Sequence, residues 1–268
     1  MKKKYYLIIC FFAVCIIFFL KSESTRLTGI NFEVKKEKIS NFKKIVEFYK
    51  RHENYKKLVK KINKRTKNKK EQIENINLWV YKNIKKISKN EDVVDSHPWT
   101  IIERKIGKSD QFSDILSVLL VHNDVDSFFS SKINNIKHPI TFFKFNNYWS
   151  IIDPYYGVYF LNKENTFSSL DQNKNTDWIM HHLIYKKIDP KNYQKIFIDE
   201  NFASYDEVIY FYNNLILNLP KNKTINETSI YKRGFGNRSY IQKPMHRIIY
   251  QLRKILFNFF NFTKSQLS

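Results

Sequence analysis

Few side chains in this sequence could do covalent or metal chemistry. Both cysteines, Cys10 and Cys15, lie within the first twenty residues, so everything after Leu20 is free of thiol. That excludes a cysteine nucleophile, a disulfide framework and a cysteine-based zinc site from the rest of the chain. His181 and His182 follow Asp177, but neighbouring side chains on a strand point to opposite faces and make a poor chelate. His97 stands before Pro98 and Trp99 and reads as a loop residue, and Gly234-Phe235-Gly236 is too short to cradle a phosphate. No metal or cofactor is expected. Ser109, His138 and Asp153 remain. Phe112, Ile115, Leu116, Leu119 and Leu120 fall at i, i+3, i+4, i+7 and i+8, a buried-helix pattern with Ser109 at its start. His138 opens a strand over 140–145, and Asp153 closes one over 148–152. Asn146-Asn147 between them is a tight hairpin signal, which pairs the strands and brings imidazole opposite carboxylate.

Three segments read together resemble the transglutaminase-like superfamily, whose papain-like fold carries a Cys-His-Asp triad. The first runs from Trp99 through Gly107-Lys108-Ser109-Asp110-Gln111-Phe112, and the second is His138. The third is Tyr148-Trp149-Ser150-Ile151-Ile152-Asp153-Pro154-Tyr155-Tyr156-Gly157-Val158. The steps from His138 to Trp149 and from there to Asp153 are 11 and 4 residues, as in the family's His hairpin, and the resemblance covers residues 72–165. It implies an α+β core of packed helices against an antiparallel sheet. It also implies a nucleophile at the start of the apolar helix, His138 as its base and Asp153 fixing the imidazole tautomer. Trp149 should be buried behind the pair.

The departure matters as much as the match. Family members commonly show Gly-x-Cys-Asp-Gln, and Ser109 stands at the cysteine position. A helix dipole and an imidazole can produce a thiolate, but they cannot hold an alkoxide in the ground state. The resemblance therefore implies a degenerate, non-catalytic triad of Ser109, His138 and Asp153, with a peptide or glycan ligand in its cleft and a binding or scaffolding role. The alternative is a working Ser-His-Asp amidase, peptidase or acyltransferase. Without any chemistry, Ser109 is a helix N-cap with Asp110 serving the dipole, His138 an edge-strand residue and Asp153 an anchor for the turn before Pro154.

The elements that must position these groups are helices first, then an antiparallel meander. Residues 1–22 read as a signal anchor or signal peptide. Lys2-Lys3-Lys4 precede sixteen uncharged residues, 5–20, about 24 Å of helix against a bilayer core of about 30 Å. No small-x-small cleavage site follows, which favours an uncleaved membrane anchor, and the short N-terminal flank with the thiol-free remainder favours a soluble domain outside the cytoplasm. Residues 23–71 are a basic linker, polar to residue 40, and an amphipathic helix interrupted near Asn54. The core spans 72–165, with Ile73, Ile76, Val80, Ile84 and Ile87 on one helix face and strands over 127–130 and 158–160. Residues 166–220 extend the domain, irregular up to 200 and helical over 202–217. Residues 221–268 are a polar connector, with sequons at Asn222, Asn226, Asn237 and Asn261, and a basic amphipathic helix from Met245.

The net charge of +22 rests on 39 Lys and 8 Arg. Dedicated phosphate readers lean on Arg for its bidentate fork, so nucleic acid is not the expected partner. Residues 41–70 alone carry 13 Lys and Arg against Glu47 and Glu53. A basic adaptor for anionic lipid, glycan or nucleic acid, with the fold incidental, is thus a further alternative.

Overall fold

The computed structural model describes residues 2–225, apart from 89, 96, 173–176, 199–201 and 222–224. The apolar run behind the three lysines forms α1 (Lys2–Lys21). Among the described residues no helix is long and apolar enough to cross a membrane. The stretch expected to be a linker instead folds back as an antiparallel hairpin, β1 (Glu23–Thr28) and β2 (Lys35–Ser40). Six charged side chains, Glu23 and Arg26 on one strand and Lys35, Lys36, Glu37 and Lys38 on the other, hide this hairpin from an apolar-alternation reading. Ser40 caps α2 (Asn41–Ile62), its hydroxyl accepting from the Lys43 amide. The helix runs unbroken through Asn54, because Tyr55, Leu58 and Val59 continue one apolar face into the core.

Asn68 caps α3 (Lys69–Asn83), which buries Ile73, Ile76 and Val80 and ends before Ile84. The short β3 (Lys85–Lys86) pairs in parallel with β4 (Ile106–Gly107). Between them, Pro98 opens α4 (Pro98–Arg104), a helix where a loop is expected. Proline at the first helical position loses no intrahelical bond, and Ile101 and Ile102 bury its inner face. Then α5 (Ser109–Val121) follows as the apolar spacing predicts.

Six strands form one antiparallel sheet in the order β10-β9-β8-β7-β6-β5. They are β5 (Ser127–Ser130), β6 (Ile140–Phe145), β7 (Tyr148–Asp153), β8 (Val158–Leu161), β9 (Ile179–His182) and β10 (Lys186–Lys187). The last two lie in the stretch expected to be irregular. Asn146 and Asn147 take left-handed backbone, φ 46° and 68°, the conformation a two-residue hairpin demands. The sheet's two faces have separate partners. Phe143, Phe145 and Ile152 pack with α3 and α5 residues such as Ile73, Phe112, Ile115 and Leu119. Phe128, Phe142, Trp149 and Ile151 pack on the other face, with Ile188, the short α6 (Tyr193–Ile196) and α7 (Tyr205–Leu217). A strand buried on both sides loses polar alternation, and β7 has no exposed residue. Each fully buried Phe, Leu or Ile contributes about 1.5–3 kcal/mol. The proposed helix from Met245, and the four sequons, lie outside the described residues.

Candidate functional site

The β6–β7 register pairs Thr141 with Ile152, so the next step along the ladder sets Ile140, not His138, across from Asp153. His138 stands two residues before that position, a diagonal that a long side chain can span. The imidazole makes the contact: His138 Nε2 lies 2.6 Å from Asp153 Oδ2. The pair is therefore formed, although the hairpin centre sits one residue later than the simple midpoint suggests.

Asp153 is fully buried, and a buried carboxylate must fill its lone pairs. Its Oδ1 accepts from the backbone amides of Tyr155 and Tyr156 at 3.1 and 3.2 Å. Its Oδ2 accepts from the Tyr212 hydroxyl at 2.7 Å as well as facing His138. Sequence reasoning missed Tyr212, which comes from α7, 59 residues away. Only its place in an amphipathic helix marked it, and that pattern says nothing about its hydroxyl. The imidazole is walled by aromatic rings, with Tyr156 parallel at 6.1 Å between centroids and Phe211 edge-on at 5.0 Å. Its Nδ1 makes no hydrogen bond among the described residues. Trp149 is 8% exposed and packs in the same core as Tyr156 and Tyr212.

Gly157 closes the Asp153–Gly157 turn at φ +68°, and a Cβ there would meet the Tyr81 ring at 3.0 Å. The backbone conformation favours glycine, and any side chain there would also push the Tyr81 ring by a few tenths of an ångström. Above the turn, Lys86 Nζ lies 4.5 and 4.6 Å from the Tyr155 and Tyr156 ring centroids, within cation–π range. Lys86 pairs with Gly107 across β3 and β4, so it links this turn to the approach of α5.

Ser109 is the first residue of α5, not its cap. Lys108 holds the cap position, and its amide donates to Gln111 Oε1 at 2.9 Å. Phe112, one turn on, meets the Tyr155 ring edge-on at 5.2 Å, which brings the first turn of α5 towards the Asp153–Gly157 turn. The half-buried Ser109 hydroxyl makes no hydrogen bond to His138 or Asp153. The structure thus joins two of the three expected site residues directly. A cavity of about 300 Å³ opens on another side of the same turn of α5, lined by Asp95, His97, Ile101, Asp110, Asp114 and Phe129. Asp95 there is ion-paired with Arg104 at 2.7 Å. His97 belongs to this wall as a loop residue with extended backbone, at the N-cap position of α4.

His181 and His182 sit on opposite faces of β9. His182 is fully buried, its Nδ1 accepting from the amides of Ile184 and Tyr185 at 3.1 Å. Burial, with Lys86 nearby, lowers its pKa to about 4. Among the described residues no three His, Cys, Asp or Glu side chains converge on a point that could hold a metal.

No family model matches the chain, and no curated protein matches it either. One solved structure, described as a "putative cysteine protease" from Cytophaga hutchinsonii, is similar over part of its length. The identity is 19%, the TM-score 0.32, and the match covers 39% of this chain and 37% of that one. The chain thus spans well under half of that protein, and a likeness of this size carries nothing over to the site.

Proposed function

We propose that the chain is a membrane-anchored transglutaminase-like domain whose cysteine position has become Ser109, acting as a binding or scaffolding module. The observation that carries this reading is the missing contact between the Ser109 hydroxyl and His138. A serine must hand its proton to a base as it attacks, so it needs that contact far more than a thiolate does. Meanwhile Asp153 is engaged by four donors from three parts of the chain, the arrangement of a structural tie. A peptide or glycan segment is the ligand class for the cleft, and α1 holds the domain at a membrane with the rest outside the cytoplasm.

A fluorophosphonate probe tests the claim on the purified protein. No adduct at Ser109 is expected, while an adduct abolished by Ser109→Ala would establish a serine hydrolase. The intact His138–Asp153 contact at 2.6 Å favours a second reading, an amidase, peptidase or acyltransferase in which that pair still works. Ser109→Cys examines it: a thiol that forms an acyl-enzyme with simple amides would show the base to be competent.

A further inference from the structure

We propose that the first turns of α2 form a collar that inserts into the headgroup–acyl boundary of an anionic bilayer beside α1, an inference that rests on α1 being the membrane anchor. Phe42, Ile45 and Tyr49 are 59%, 41% and 59% exposed. They fall at i, i+3 and i+7, so they make one stripe about 60° wide on the helix. An exposed apolar stripe on a helix that also buries Tyr55 and Val59 elsewhere is not explained by core packing.

The stripe begins where α1 ends. The Asn41 side-chain amide donates to the Phe19 carbonyl at 3.0 Å and to the Ser22 hydroxyl at 2.7 Å. The Asn41 backbone amide donates to the Ser22 carbonyl at 2.9 Å. These bonds fix Phe42 next to the last turn of α1, where Phe18 and Phe19 are 71% and 60% exposed. The apolar surface of α1 thus continues onto α2 across a hydrogen-bonded joint. Sixteen apolar residues are short for a bilayer core, and a short segment is accommodated by neighbours that partition at the interface. The collar supplies that apolar area.

Charge selects the lipid. Lys43, Lys44 and Lys50 are exposed on the same turns, and Lys21 and Lys38 flank the joint. The acids nearby are ion-paired: Glu37 with Arg26 at 2.5 Å, Glu47 with Arg26 at 2.8 Å and Arg51 at 3.5 Å, and Glu53, one turn beyond Tyr49, with Lys56 at 3.4 Å. Glu23 is the other carboxylate close to the joint. Cations bordering an apolar stripe keep their ammonium groups at the headgroups while their stems lie along the acyl boundary.

The test uses the full chain with both cysteines changed to serine and an environment-sensitive nitrobenzoxadiazole label at Phe42→Cys or Tyr49→Cys. A label at Tyr210→Cys, 74% exposed on α7, is the aqueous reference, and a label on retained Cys15 reports α1. Proteins are reconstituted in phosphatidylcholine vesicles with or without phosphatidylglycerol. The collar predicts that labels at 42 and 49 lose emission to shallow nitroxide lipids, more so with phosphatidylglycerol at low salt, while the reference does not. Labels at 42 and 49 quenched only by aqueous iodide would overturn it. So would apolar emission untouched by nitroxide lipid, which would mean that protein covers the stripe, either a second copy or residues 226–268. A Cys15 label outside the bilayer would defeat the anchor reading and the collar with it, whereas a Cys15 label inside the bilayer with 42 and 49 in water would overturn the collar alone.

Discussion

Asp153 shows how one buried residue can tie three parts of a chain together. Its two oxygens accept from the turn that follows it, from His138 ahead of β6 and from Tyr212 on α7. Losing a donor to a buried carboxylate costs more than losing a neutral hydrogen bond, about 1.5–3 kcal/mol. Tyr212→Phe keeps the ring in its core position, 2% exposed, and removes only the hydroxyl. It should destabilise the fold by that amount, read from the urea midpoint with an unchanged m-value. Ser109→Ala should behave differently. A serine cap would cost about 1 kcal/mol to remove, but Lys108 holds the cap position and Ser109 is the first helical residue. The expected change is within about 0.5 kcal/mol, and a loss above 1 kcal/mol would assign the hydroxyl a bond in the folded state. At this scale the sequence shows His138 and Asp153 because hairpin and spacing are local signals. Tyr212 is invisible there, since nothing local distinguishes a hydroxyl aimed at a distant carboxylate from any aromatic on an apolar helix face.

Between elements, the most pH-sensitive joints are made by histidines. His52 on α2 and His122 after α5 face each other, Nδ1 to Nε2, at 2.9 Å, and His122 Nδ1 donates to the Val118 carbonyl at 2.8 Å. That bond fixes the neutral tautomer: Nε2 of His122 is the acceptor and His52 the donor. Burial lowers both pKa values, with Lys56 adding to the effect. Protonating both rings would set two donors against each other. His182, held near 4, joins β9 to the 184–185 turn in the same neutral state. Each of these groups has a folded pKa below its unfolded value near 6.5. Their stabilisation is therefore complete above pH 6.5 and is lost as pH falls through that value towards the folded pKa. His182 alone should account for about 3 kcal/mol between pH 6.5 and 4. Denaturant titrations across this window should show falling stability that His182→Gln flattens; a profile unchanged by that substitution would remove His182 from the explanation. The elements carrying these joints were unevenly legible. Long apolar periods marked α5 and α7, and Asn146-Asn147 marked the central hairpin. The β1–β2 ribbon and β10 escaped because polar and charged strands lack apolar alternation, and α4 because seven residues give too short a period.

For the whole molecule, the question is whether a charge of +22 is a surface with a purpose or a compositional bias spread over solvent. The fold bears on this because α2, which carries much of the lysine excess, is docked: Tyr55 and Val59 lie in the same core as α3 and α5. Its cations are consequently held on one rigid body and not on a linker, and a fixed array attracts an anionic surface more effectively than charges that can drift apart. An α+β architecture of helices packed against an antiparallel sheet was foreseeable from the order of elements, but not that helices cover both of its faces. How α2 sits on it was not, since the apolar face of a lysine-rich helix does not reveal its partner. A chain lacking residues 1–22 removes α1 and leaves this array to act alone. It should sediment with phosphatidylglycerol vesicles at low salt and release as the Debye length shortens from about 30 Å at 0.01 M to about 8 Å at 0.15 M. Equal binding to phosphatidylcholine would mean that apolar contact through Phe42, Ile45 and Tyr49 suffices without charge. Failure to bind either lipid would leave the lysines as a solvated face, because a docked cationic array that meets anionic headgroups at low salt cannot stay indifferent to them.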